Sequence, residues 1–181
     1  VVDVSHLSDK AFTDVVGLSE KPFVASHSNC RSLCPSLRNL TDDMIRTVAS
    51  HGGVMGINLS PGFLDPDYLA AVTPLFEAGI RAGVSAEESK TLRAKMREIP
   101  RPSIDWVARH VLHAINVGGE DCIGLGGDLD GIGQTPEGID SIADYAQFIP
   151  LFREAGLSDA QIEKVCYKNF FRTFSEILPT T

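Results

Sequence analysis

Four cysteines in 181 residues are too few to build a disulfide framework in a chain of this size. Cys30 and Cys34 lie four apart as C-R-S-L-C, but the second ligand pair that a structural zinc site needs is missing. All four are expected to be partly buried thiols. Basic residues are also in short supply: 16 Lys and Arg face 24 Asp and Glu, for a formal charge of −8. With no basic cluster and no aromatic-basic interleaving, that balance argues against a nucleic-acid surface. No apolar run approaches the roughly 20 residues of a membrane span, and no signal-peptide pattern is visible. An opening methionine is missing as well. The chain begins at Val1 inside an apolar run, which reads as a piece of a longer or processed polypeptide and leaves cytoplasmic and exported locations both open.

What is present alternates between strand and helix. V-V-D-V-S-H (1–6) reads as a strand, with Ser8 and Asp9 capping a helix through about Leu18. P-F-V-A-S-H-S (22–28) is a second strand, followed by a loop and a helix that Thr41, Asp42 and Asp43 start and Gly52-Gly53 stop. G-V-M-G-I-N-L (53–59) is a third. Residues 60–103 form an elaborated connection: loop-like at S-P-G-F-L-D-P-D-Y-L, then a charged, exposed helix across S-A-E-E-S-K-T-L-R-A-K-M-R-E-I. Ser103 opens another helix, closed by Gly118-Gly119, and C-I-G-L-G-G-D-L-D (122–130) is the fourth strand. A helix across 142–155 follows. A last helix starts at the Ser158–Gln161 capping box and carries Ile162, Val165, Cys166, Phe170 and Phe174 inward.

Strands without in-out alternation are buried on both faces, so an α/β fold with a helix-covered parallel sheet is expected. An open doubly wound sheet and part of a (β/α)8 barrel both fit. In either, chemistry gathers at the C-terminal ends of the strands. His6, His27 and Asp128 each sit where an apolar strand gives out. The two histidines recur in matched Ser-His contexts, 21 residues apart. Two imidazoles and a carboxylate on one rim suit a divalent metal, because neutral imidazole is a good zinc donor and a nearby carboxylate can move a proton. His110 and His113, on one helix, read as packing residues, and His51 as a helix-end residue favoured by the dipole. Arg31 is expected to face solvent, and Asp130 to serve the loop after the fourth strand. G-D-L-D-G lacks the further acidic ligands of an EF-hand calcium loop.

V-D-V-S-H-L-S-D-K-A-F, P-F-V-A-S-H-S-N-C-R-S-L-C-P-S-L-R-N-L-T-D-D-M-I and I-G-L-G-G-D-L-D-G closely resemble the membrane dipeptidase (renal dipeptidase) family of zinc peptidases, within the amidohydrolase group. K-N-F-F-R-T-F resembles the family's last helix, and the likeness runs from Val1 to about Leu178. The resemblance implies the C-terminal half (strands 5–8 with their helices) of a (β/α)8 TIM barrel, as one domain over 1–181. It implies that His6 and His27 ligate one zinc of a binuclear pair. Arg38, eleven residues after His27, would hold the substrate's terminal carboxylate, a task suited to a guanidinium fork. Asp128 would be a proton shuttle and substrate contact. Leu37 stands where many relatives carry a proline or a basic residue, a change in the loop that leaves Arg38 in place.

The same resemblance implies residues on the first four strands that this sequence does not contain: a His-x-Asp zinc pair, a bridging glutamate and a further, substrate-contacting histidine. The reading is therefore part of a zinc dipeptidase that hydrolyses dipeptides with metal-activated water once joined to an N-terminal half-barrel, and is inactive alone. Complete barrels would form a homodimer. Two other readings stay open: a half-barrel that serves only binding or assembly, and an amidohydrolase acting on a cyclic amide.

Overall fold

The computed structural model describes residues 1–178. Three parallel strands lie in the order β1 (Val24–Ala25), β2 (Val54–Asn58) and β3 (Ile123–Gly127). All five residues of β2, the central strand, are buried, which is why V-M-G-I-N shows no alternation. Val24 pairs with Val54 and Met55 with Ile123, and the β2–β3 register slips between Ile57 and Asn58.

The strand expected over 1–6 is a correction. It runs parallel beside β1 but pairs only through a bridge between Asp3 and Val24. Two backbone bonds make that bridge, Val4 N–H to Val24 O at 2.8 Å and Val24 N–H to Val2 O at 3.0 Å. The reason is local. Oδ1 of Asp3 accepts the backbone N–H of both Ser5 and Ser26, each at 3.0 Å, so a carboxylate takes donors that a longer ladder would need. The same substitution trims the strand expected over 22–28 to two residues.

Helices wrap the sheet. α1 (Asp9–Leu18) starts at Ser8 and α2 (Asp42–Ser50) at Thr41, each cap hydroxyl accepting an N–H of the first turn at 3.2 Å. Residues 61–64 are not loop but a short helix, α3 (Pro61–Leu64), and α4 (Pro66–Ile80) begins directly after Asp65. The prolines that suggested a break sit in the first helical turn, where a missing N–H costs nothing. α5 (Ala86–Glu98) buries none of its residues, as its charge pattern predicts. α6 (Asp105–Gly118) stops at Gly119, whose φ of 87° no side chain favours. The single helix expected over 142–155 is instead a 3₁₀ segment (Ile142–Gln147) leading into α7 (Phe148–Glu154). The last helix is also interrupted: α8 (Asp159–Glu163), a π turn (Lys164–Lys168) and α9 (Asn169–Ile177) follow in line. Beyond that turn Asn169 and Thr173 take the deepest positions, while Phe170 and Phe174 are half-buried.

The core lies between the sheet and the inner faces of α2, α6 and α7. Ile45, Val48, Met55, Val107, Val111, Ile123, Phe148 and Phe152 are wholly enclosed. Each such side chain contributes roughly 1.5–3 kcal/mol of burial. No helix among the described residues is long and apolar enough to cross a membrane.

Candidate active site

The two Ser-His pairs, Ser5-His6 and Ser26-His27, both form turns just past the Asp3–Val24 bridge and β1. These turns aim the imidazoles at each other. Nε2 of His6 lies 2.8 Å from Nε2 of His27, with the rings inclined at 62°. Behind them stands Asp3. Its Oδ2 accepts from the Ser26 hydroxyl at 2.5 Å, and Oγ of Ser26 lies 2.6 Å from Nδ1 of His27. The Ser5 hydroxyl donates to Oδ1 of Asp3 at 2.9 Å and accepts the backbone N–H of His27 at 3.0 Å. Burial pushes the Asp3 carboxyl up, yet the bonds from Ser26 and Ser5 outweigh it and hold the group below the usual range. Burial pulls the His27 imidazole below its ordinary value, against the opposing pull of Asp128 and Asp3.

Asp128 follows β3 with a φ of 65°. Aspartate tolerates this left-handed region better than most side chains, and such strain gathers at functional sites. Its Oδ2 accepts from Nδ2 of Asn58 at 3.0 Å. Arg38 reaches in from the loop after β1. Its Nε–H donates to the carbonyl of Ser5 at 3.2 Å, and its guanidinium lies 5.3 Å from the centre of the Phe63 ring. Among the described residues, Nη2 of Arg38 is buried without a hydrogen-bond partner. An enclosed cationic N–H with nothing to donate to is an anion-binding group in waiting.

Three buried asparagines lock this rim. Asn29 donates to the carbonyls of Asn58 and Phe63, each at 3.0 Å, and accepts the Asn58 N–H at 2.8 Å. Asn39, beside Arg38, donates to the carbonyls of Cys34 and Phe63, each at 2.8 Å. Asn58 accepts the Ser60 N–H at 2.7 Å. The loops carrying His27 and Arg38, and α3 with Phe63, are thus tied to the end of β2.

Other residues fall outside the site. His110 is enclosed, with Nδ1 accepting the Cys30 N–H at 3.1 Å and Nε2 lying 2.9 Å from the Leu64 carbonyl. His113 meets Asp42 and Ser32 between α2 and α6, at 2.9 and 2.8 Å. Both partners approach the same ring nitrogen, so the three residues make a brace and not a charge-relay triad. Arg31 corrects an expectation: it does not face solvent but forms a two-pronged bond with Asp9 at the start of α1, both contacts at 2.8 Å. The Cys30 and Cys34 thiols are buried, and burial pushes Cys34 up to about 11, so neither offers a thiolate.

Among the described residues, no group of three or more His, Cys, Asp or Glu could hold a metal ion. The pair His6 and His27 fits part of a coordination shell. Two imidazole nitrogens roughly 2.0–2.1 Å from one zinc ion lie roughly 3.3 Å apart, about 0.5 Å wider than the 2.8 Å separation seen. Asp3, Ser5, Ser26 and the asparagines were not singled out in the sequence. The signals that could have found them are an acidic residue inside an apolar strand and a serine before each histidine.

A family model described as Membrane dipeptidase (Peptidase family M19) matches residues 1–180. An uncharacterized protein in the pqqA 5′ region of Klebsiella pneumoniae is 31% identical over 97% of this chain and 54% of its own length. Dipeptidase 3 of Mus musculus is 27% identical over 98% of the chain and 29% of its own length. Among solved structures, a metallo peptidase from Rhodobacter sphaeroides, liganded with a phosphinate mimic of the dipeptide L-Ala-D-Ala, is 29% identical with a TM-score of 0.77. This chain matches it over 97% of its own length and 42% of that chain. The probable dipeptidase PvdM from Pseudomonas aeruginosa reaches a TM-score of 0.83 at 26% identity, over 98% of this chain and 50% of that one. The chain therefore spans about half, or less, of the length of these relatives.

Proposed function

Because the chain belongs to the membrane dipeptidase family, whose members are metallopeptidases, we propose that it carries half of a zinc-dependent dipeptidase site. The observation that supports this best is the convergence of His6 and His27 at 2.8 Å beside an Arg38 whose Nη2 lacks a partner. His6 and His27 would hold one metal of a binuclear pair through Nε2. Metal at such a site polarises a carbonyl and lowers the pKa of a bound water toward 7. The remaining steps fall to side chains of this chain. Arg38 grips the terminal carboxylate of a dipeptide, with the Phe63 ring steadying the guanidinium from one side. Asp128 takes the proton of the attacking water and passes it to the leaving amine, while Asn58 fixes the carboxylate's orientation.

Two ligands do not complete a catalytic site. The chain on this reading forms strands 5–8 of a (β/α)8 barrel and docks on an N-terminal half that supplies the other ligands. The three-stranded sheet supports that reading: among the described residues β3 pairs with no further strand on its outer side, and beyond β1 only the Asp3–Val24 bridge continues it. The phosphinate dipeptide mimic bound by the Rhodobacter sphaeroides relative supports the substrate class.

The test is hydrolysis by the zinc-loaded chain joined to the missing half, using dipeptides with a free or an amidated C-terminus and a cyclic amide. Cleavage of the free dipeptide, with Arg38→Ala raising KM about 100-fold or more, is expected from loss of a buried charge-assisted pair. Equal cleavage of the amidated dipeptide, or preference for the cyclic amide, would overturn it.

A further inference from the structure

We infer that Asp3 and Ser26 form a relay that sets the tautomer of His27 and so makes its Nε2 a metal donor. This rests on the reading of His27 as a ligand and deepens it.

A hydroxyl carries one hydrogen. Oγ of Ser26 lies 2.5 Å from Oδ2 of Asp3, whose carboxyl hydrogen bonds hold below its usual range. The ionised carboxylate can only accept, so the Ser26 hydrogen points to Asp3. At Nδ1 of His27, 2.6 Å away, Ser26 then has only a lone pair to offer. Nδ1 must carry the proton. In a neutral imidazole the other nitrogen, Nε2, is then bare. That bare nitrogen faces Nε2 of His6 at 2.8 Å.

The surroundings are shaped for this arrangement. Oδ1 of Asp3 is held by three donors: the N–H of Ser5, the hydroxyl of Ser5 and the N–H of Ser26. The carboxylate is therefore fixed before the serine meets it. Oγ of Ser5 also accepts the N–H of His27, so one residue steadies both ends of the relay. Room for the turn comes from Gly56 and Gly126. A Cβ at either would stand 2.2 or 2.0 Å from the carbonyl oxygen of Ser26. Ligating histidines usually donate their second nitrogen to a carboxylate or carbonyl, and here a serine extends that contact by one link. Asp3 and Ser26 touch no reacting atom, so they are positioning residues.

The decisive measurement is the 15N chemical shifts of the His27 ring in the metal-free chain, at a pH where the imidazole is neutral. A protonated Nδ1 and bare Nε2 are expected. A protonated Nε2 would overturn the relay without any variant being made. Ser26→Ala should move the population toward protonated Nε2 and weaken zinc binding roughly 10–100-fold, and Ser26→Thr, which keeps the hydroxyl, should restore both. An unchanged tautomer and affinity in Ser26→Ala would overturn the relay while leaving His27 a ligand. If zinc perturbs neither His6 nor His27 in the parent chain, the ligand assignment fails and the relay's role toward metal fails with it, whatever the tautomer.

Discussion

The strand-end rim and the α4–α5 hairpin are both rich in polar groups, yet they are held in opposite ways. On the rim, partners come from far along the chain: Asn58 meets Asp128 across 70 positions and Asn29 meets Asn58 across 29. In the hairpin, bonds at Asp65, Thr73, Ser85 and Thr91 reach at most four positions. Gln134 ties the hairpin to a distant segment, accepting from the Tyr68 hydroxyl of α4 at 2.7 Å and donating to the Arg97 carbonyl of α5 at 3.4 Å. The asparagines of the rim are enclosed, with Asn29 and Asn58 at 0% exposure, whereas α5 has no buried residue. Precise chemistry needs groups fixed by several elements at once, and the rim has that property. The hairpin is a locally stabilised appendage.

Substitutions should separate the two regions by size of effect. Asn29→Ala would strand the Asn58 N–H and carbonyl in an enclosed setting. A loss of about 3 kcal/mol is expected from groups left unsatisfied. Urea denaturation measures it, and a loss below about 1 kcal/mol would put the rim on a par with the hairpin.

His110, packed just beneath the rim, should make stability depend on pH. Burial holds its pKa down to about 4 against 6.5 for the free side chain. The unfolded chain therefore binds the extra proton first. Stability from this group is fully present above pH 6.5 and falls as the pH drops toward 4, by up to about 3 kcal/mol. Protonation would also set a ring N–H against the Cys30 N–H. His110→Gln should flatten that slope in denaturation curves taken across the window. A slope unchanged in the variant would assign it to other groups.

Ser85→Ala, in the hairpin, should have the smallest effect. Loss of a helix cap costs about 1 kcal/mol, and zinc affinity should not move. A change in metal binding there would show that the hairpin communicates with the rim.

The same contrast explains what the sequence disclosed. Features set by near neighbours were legible: the caps at Ser8, Thr41 and Ser158, and the exposed face of α5. The buried strands β2 and β3 were legible from unbroken apolar runs, with ends trimmed by a few residues. Where expectation and structure part, a distant or backbone-level partner decides. Asp3 takes the N–H groups that would have extended the first two strands. Arg31 turns from solvent because Asp9, 22 positions away, receives it. Pro61 and Pro66 were read as loop because a proline in a first helical turn looks the same in sequence as one that ends a helix. At the site, the residue types His6, His27, Arg38 and Asp128 stood out by position at strand ends. The second layer did not: the serine before each histidine was visible only as a shared context, and the asparagines carry no signal of their own until a fold brings carbonyls to them.

Zinc content and first-shell structure, measured by equilibrium dialysis and X-ray absorption on the chain and on His6→Ala and His27→Ala, test the central claim most directly. One ion per chain is expected, bound through two imidazole nitrogens at roughly 2.0–2.1 Å and lost when either histidine is replaced. Undiminished zinc in either variant, or a first shell without imidazole, would contradict it.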